Sequence, residues 1–146
     1  MNESQLKHDL AAQLRLHFPG AVVLSHSDQF TAGIPDMSVT CSGQHWAGTV
    51  WLELKNVTPT KRFKSTDIQR QTAVELAAHT SCYYVIYEEF ILYSSKTEER
   101  DITGRRTLIV HPAIIGEDWN SMTPRADGYN HYFVAGFLKG LWEING

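Results

Sequence analysis

The segment that most constrains this chain is Gly33-Ile34-Pro35-Asp36-Met37-Ser38-Val39-Thr40, followed after a polar loop by Thr49-Val50-Trp51-Leu52-Glu53-Leu54-Lys55. In its second half Val50, Leu52 and Leu54 alternate with Trp51, Glu53 and Lys55. A period of two is that of a β-strand whose faces meet different surroundings, so Glu53 and Lys55 project from one face. Pro35 sets an extended approach, Asp36 opens the first strand, and Cys41 to Gly48 supplies a turn-like loop with two glycines. A hairpin symmetric about Gln44 and His45 puts Thr40 opposite Thr49 and Asp36 opposite Glu53. Two carboxylates and an amine then converge on one patch.

Paired carboxylates on adjacent strands bind Mg2+ through oxygen and leave its other octahedral positions to water and phosphate. A lysine alongside can orient a metal-bound water, deprotonate it if its own pKa is lowered, or stabilise charge on a phosphate under attack. Taken singly, Asp36 reads as a turn residue and Lys55 as part of an exposed strand face. The three together, at hairpin spacing and between apolar runs, read as a site.

Pro35-Asp36 followed by Glu53-Leu54-Lys55 resembles the PD-(D/E)XK nuclease signature, and Gly33-Ile34-Pro35-Asp36 is most similar to its VRR-NUC and Holliday-junction-resolvase branches. The elements of residues 1–95 follow that family's order, whereas residues 96–146 form an extension that matches no part of it.

Asn2-Glu3-Ser4-Gln5 has the form of a helix start, with Asn2 as cap, and Leu6, Leu10 and Leu14 make one apolar stripe before Phe18-Pro19-Gly20 stops the helix. By physical chemistry alone Glu3 is a first-turn acid favoured by the helix dipole and paired with Lys7. The resemblance implies more, a first-helix glutamate that joins the metal site, and Glu3 is better placed for this than Asp9. Ala21 to Ser25 is a short strand. His26 and Ser27 sit in the polar loop after it, where they could touch phosphate or simply make local hydrogen bonds. Asp28, without the proline and strand context of Asp36, is its rival as a ligand.

After Lys55 comes a loop with Lys61, Arg62, Phe63 and Lys64. It reads in two ways: cations holding DNA phosphates with Phe63 stacking on a base, or a solvated loop with Phe63 tucked into the core. Thr66-Asp67-Ile68-Gln69 fits a capping box opening a helix that runs to about His79. The resemblance places Gln69 at the border of the active site, ahead of Gln71. Ser81 to Glu88, Phe90 to Ser94 and Thr107 to His111 have strand composition, and Lys96 to Arg106, with Arg100, Arg105 and Arg106, reads as a charged connector. Tyr132 to Trp142 is apolar enough to be a short buried helix or strand that either closes the core or forms a dimer surface.

At 146 residues, 42% hydrophobic and 20% charged, the chain suits a single globular domain. A polar start and no apolar run near the roughly 18 residues of a spanning helix indicate a cytoplasmic protein with no membrane partner. Cys41 and Cys82 lack zinc-ligand spacing, His45, His79, His111 and His131 are too scattered to form a ligand set, and no glycine-rich loop indicates a nucleotide cofactor. A net charge of -3 is not the basic balance of a protein that coats nucleic acid, so DNA binding would rest on local basic clusters and on acid neutralised by metal.

The expected fold is therefore α/β, with an αβββαβ restriction-endonuclease-like core: a central mixed sheet flanked by helices. The expected function, implied by the resemblance, is that of a phage-type Mg2+-dependent DNA endonuclease, with Mn2+ able to substitute, acting on double-stranded or branched DNA as a homodimer. Asp36, Glu53, Glu3 and the Leu54 carbonyl would hold metal, Lys55 would serve the attacking water, and Gln69 would position it or the phosphate. The alternative is a nuclease-fold DNA-binding or scaffolding protein that does not cut.

Overall fold

A computed structural model describes residues 2–26, 33–42, 47–95, 100–115 and 123–144. Ser27, Asp28, His45 and Trp119 lie outside the described residues. The elements are α1 (Glu3–His17), β1 (Val22–Ser25), β2 (Met37–Ser42), β3 (Ala47–Val57), α2 (Asp67–His79), β4 (Ser81–Ser95), β5 (Arg100–Val110), a 3-10 turn (Pro112–Ile114), β6 (Arg125–Asp127) and α3 (His131–Ile144). Both predicted helix starts are present. Asn2 accepts the Gln5 N–H at 2.8 Å, and Thr66 and Gln69 close a reciprocal capping box.

The six strands form one sheet in the order of the chain. All neighbours are antiparallel except β3 and β4, which run parallel because α2 carries the chain back across the sheet between them. On one face α1 and α3 bury Leu6, Leu10, Leu14, Val134 and Leu138 against Met37, Val39, Val50, Leu52, Leu54, Val85 and Tyr87. On the other, Ala73, Leu76 and Ala77 of α2 pack against Cys82, Tyr84, Ile86, Leu108 and Val110, with Trp51 and Phe63 at the margin. The alternation in β3 thus separates two helix-covered faces, and Glu53 and Lys55 fall on the α2 side with Trp51.

Two expectations for the C-terminal half change. Phe90 to Ser94 is not a separate strand but the continuation of β4, which runs unbroken from Ser81 to Ser95 with an irregularity in its pairing between Ile91 and Tyr93. The charged stretch from Arg100 to Arg106 is not a connector but the first half of β5, paired with the end of β4. Two of its arginines are matched across the strands, Arg105 on Glu89 and Arg106 on Glu88, so a polar composition concealed a strand.

The tail is a helix, and it completes the core. Asn130 caps α3 by accepting the Phe133 N–H at 2.9 Å, and the buried Tyr87 hydroxyl meets His131 Nδ1 at 2.9 Å. Phe133, Phe137, Leu141 and Trp142 pack on the α1 side of the sheet, with Trp142 edge-on to Phe18 at 4.7 Å between centroids. Much of the apolar area that suggested a homodimer is therefore used within the chain, and among the described side chains of α3 Tyr132 is the large apolar one that is largely exposed. Among the described residues no helix is long and apolar enough to cross a membrane.

Candidate active site

The hairpin register is the one the sequence implies. Thr40 faces Thr49, their hydroxyls 2.8 Å apart, and Met37 faces Leu52, so Asp36 stands one step further, opposite Glu53. On its other side, Asp36 is paired through its carbonyl with the His26 N–H at 2.7 Å, which extends the β1–β2 ladder by a residue. Its side chain takes over where the β2 backbone ends: Asp36 Oδ2 accepts the Leu54 N–H at 2.9 Å. In an extended strand the N–H and C=O of one residue project from the same edge, so the Leu54 carbonyl also faces the side on which Asp36 lies.

The loop that delivers Asp36 needs its glycine. Gly33 has φ 83°, and a Cβ there would lie 2.6 Å from Ile68 Cγ2 and 2.8 Å from the Ile68 carbonyl oxygen. At Gly33 the chain can thus press against the first turn of α2. Glu53, on the sheet face that α2 covers, is only 3% exposed.

Burial raises the Glu53 carboxyl far above the usual carboxylate range, and a hydrogen bond with Asp36, the charge of Asp36 and that of Glu3 raise it further, against the opposing pull of Lys55. Glu53 therefore keeps its proton at neutral pH and shares it with Asp36. Lys55 Nζ donates to Gln69 Oε1 at 3.2 Å. The same oxygen accepts the Thr66 N–H at 3.1 Å, so both acceptor positions of the Gln69 amide oxygen are occupied. Its NH2 group is left pointing away from both donors. The structural role of Gln69 as a capping-box member and its place beside Lys55 are one arrangement.

Not every expected residue joins this group. Glu3 Oε2 lies 3.4 Å from the Asn56 N–H and 3.9 Å from Lys61 Nζ, on the α1 side of the β3 exit, and reaches Glu53 only through its charge. Among the described residues, no three His, Cys, Asp or Glu side chains gather closely enough to hold a metal ion together. His26 makes local contacts: Nε2 lies 2.8 Å from Ser38 Oγ, and its ring stacks at 5.3 Å and 31° on Trp51. In the loop after β3, Arg62 and Lys64 are exposed, Lys61 closes a turn with Thr58, and Phe63 turns inward against Tyr84, 5.9 Å between centroids. Phe63 thus follows the core reading.

Lys7 joins the site although the sequence pattern did not point to it. It lies one turn beyond Glu3 on α1, and its Nζ stands 3.9 Å from Asp36 Oδ1. The i, i+4 spacing from Glu3 was the signal available, since it places both side chains on one helix face.

No family profile, no curated protein and no solved structure matches this chain.

Proposed function

We propose that the protein is a Mg2+-dependent nuclease that hydrolyses DNA phosphodiester bonds. The observation that carries this reading is the Asp36–Glu53 pair: two carboxylates held in hydrogen-bonding contact at a strand end, with Lys55 two residues beyond Glu53 on the same face. Two acids forced to share a proton form a strained donor set that a divalent cation relieves. All the donors are hard oxygens, and Mg2+ is commonly held by one or two carboxylates with water and substrate phosphate completing its shell, so a pair without a third acid is sufficient. Asp36 and Glu53 would hold the ion, with the Leu54 carbonyl on the adjoining edge.

When bound, the ion supplies polarisation of the phosphate and a water acidic enough to attack at neutral pH. The chain supplies the rest. Asp36 and Glu53 would offer their carboxylate oxygens to the ion, Gln69 Oε1 holds Lys55 Nζ in place, and Lys55 Nζ would orient the attacking water or stabilise charge gathering on the phosphate. The Gln69 NH2, directed away from Thr66 and Lys55, is a donor for a phosphate oxygen. Lys61, Arg62 and Lys64 directly follow β3 and would grip the DNA backbone. The corresponding fold is a restriction-endonuclease-like core, which the order α1, β1 to β3, α2, β4 and the parallel β3–β4 pair support. A preference for branched DNA is the finer form of the proposal and rests on the sequence resemblance.

The test is incubation of the purified chain with linear, nicked, flapped and four-way DNA in Mg2+, Mn2+ or EDTA. Cleavage is expected with either ion, none in EDTA, and none from folded Asp36→Asn. Lys55→Ala should take up metal and cut poorly. Full turnover by Asp36→Asn refutes the site, and DNA binding without cleavage under any metal supports a nuclease-fold binding protein instead.

A further inference from the structure

The acid pair has a second amine that the proposed chemistry does not use. Lys7 Nζ stands 3.9 Å from Asp36 Oδ1, and its side chain is only 24% exposed, an unusual degree of burial for lysine unless it is paired. Leu6 and Leu10 seat α1 on the sheet face containing Met37, Leu52 and Leu54, and Lys7, next to Leu6, comes to the margin of that face where the chain enters β2. The two oxygens of Asp36 are thereby divided. Oδ2 accepts the Leu54 N–H, and Oδ1 faces the ammonium. Lys61 and Glu3 lie at the same distance, but Lys61 is 63% exposed and water screens that pair, whereas the Lys7 charge acts in a more enclosed setting.

We propose that Lys7 is the resident counter-cation of the site: it neutralises Asp36 until a divalent cation displaces it, and so sets the cation concentration at which the site fills. This rests on the reading of Asp36 and Glu53 as the cation site. Across 3.9 Å the Lys7 side chain sets its positive charge against the Asp36 oxygen that the Leu54 N–H leaves open. An arriving ion meets an ammonium already on Oδ1, and two cations cannot share that oxygen without mutual repulsion. Lys7 is a positioning residue in this scheme, acting through Asp36.

The experiment is a calorimetric titration of the full chain with Mn2+, comparing wild type, Lys7→Met and Lys7→Arg. Methionine keeps the buried stem and removes the charge, whereas arginine keeps the charge. Lys7→Met is expected to bind Mn2+ about fivefold more tightly, equivalent to about 1 kcal/mol, with Lys7→Arg close to wild type. If wild type binds Mn2+ and Lys7→Met binds it equally or more weakly, the counter-cation role is overturned and the cation site stands. A wild type that takes up no Mn2+ overturns both. Acetylation of Lys7 in the wild-type chain, read by mass spectrometry against Lys139, gives an answer even if Lys7→Met does not fold. Mn2+ should raise the Lys7 ratio, and an unchanged ratio overturns the displacement.

Discussion

Glu53→Gln should stabilise the metal-free protein increasingly as pH rises. The wild-type carboxyl is pushed up to about 9 in the folded chain from 4.5, chiefly by burial and then by Asp36. A carboxyl raised on folding binds its proton more tightly folded than unfolded. The stability it contributes is fully present below the unfolded value and is lost as pH climbs to the folded one. The window is therefore about 4.5 to about 9, and neutral pH lies within it. Each pH unit there costs the wild type on the order of 1 kcal/mol from this group, so from about pH 6 to pH 8 the loss is on the order of a few kcal/mol. Glutamine has nearly the same shape, can still donate to Asp36 and does not titrate. Urea unfolding in EDTA, followed by the fluorescence of the four tryptophans, measures the difference between the two proteins. Contributions from other groups cancel in that difference. Wild type should lose on the order of a few kcal/mol relative to Glu53→Gln between about pH 6 and pH 8, and excess Mg2+ should reduce the loss. Parallel pH profiles would refute the buried, proton-sharing pair.

Other changes separate structural from chemical roles. Gly33→Ala should destabilise the chain by about 1–3 kcal/mol in a denaturant melt, since it strains φ and drives a methyl into Ile68; a neutral result would mean that the loop does not press on α2. Thr66→Ala and Gln69→Ala should each cost about 1 kcal/mol through the capping box, but only Gln69→Ala releases Lys55 and should depress cleavage beyond its effect on stability. Equal losses of activity would make Gln69 a cap alone. Replacing Lys61, Arg62 and Lys64 together by alanine should weaken DNA binding across unrelated sequences and lower the salt slope by about 0.9 for each phosphate no longer neutralised, and an unchanged slope would mark the loop as merely solvated.

Much of the site was written in local pattern, because strand register and helix capping are short-range physics. The alternation of Val50 to Lys55 and the symmetry of its loop were enough to set Asp36 against Glu53, and Thr66 with Gln69 announced the start of α2 before any tertiary contact was considered. Lys55 follows from the same reasoning, since a strand face fixes where its side chain emerges, whereas the place of Gln69 beside it was implied by the resemblance. The resemblance led further, to Glu3 as a ligand, but the structure turns that side chain toward Asn56 and Lys61.

What only the folded chain decided is what covers what. The polarity of Arg100 to Arg106 hid a strand in which Arg105 and Arg106 pair with Glu89 and Glu88 across a ladder, a pairing that exists only after β4 and β5 meet. The tail's apolar residues looked surplus until α3 was seen to share a core with α1. The burial of Glu53 has the same origin. Its alternation defines a face, but the desolvation that makes it hold a proton comes only once α2 packs over that face of the sheet. Lys7 reaches Asp36 for a like reason, because the packing of Leu6 and Leu10 brings α1 to that end of the sheet. Local sequence determines which side chains leave a strand or helix together; the dielectric around them and the charges that oppose them are properties of segments distant in sequence, and only the tertiary structure sets those.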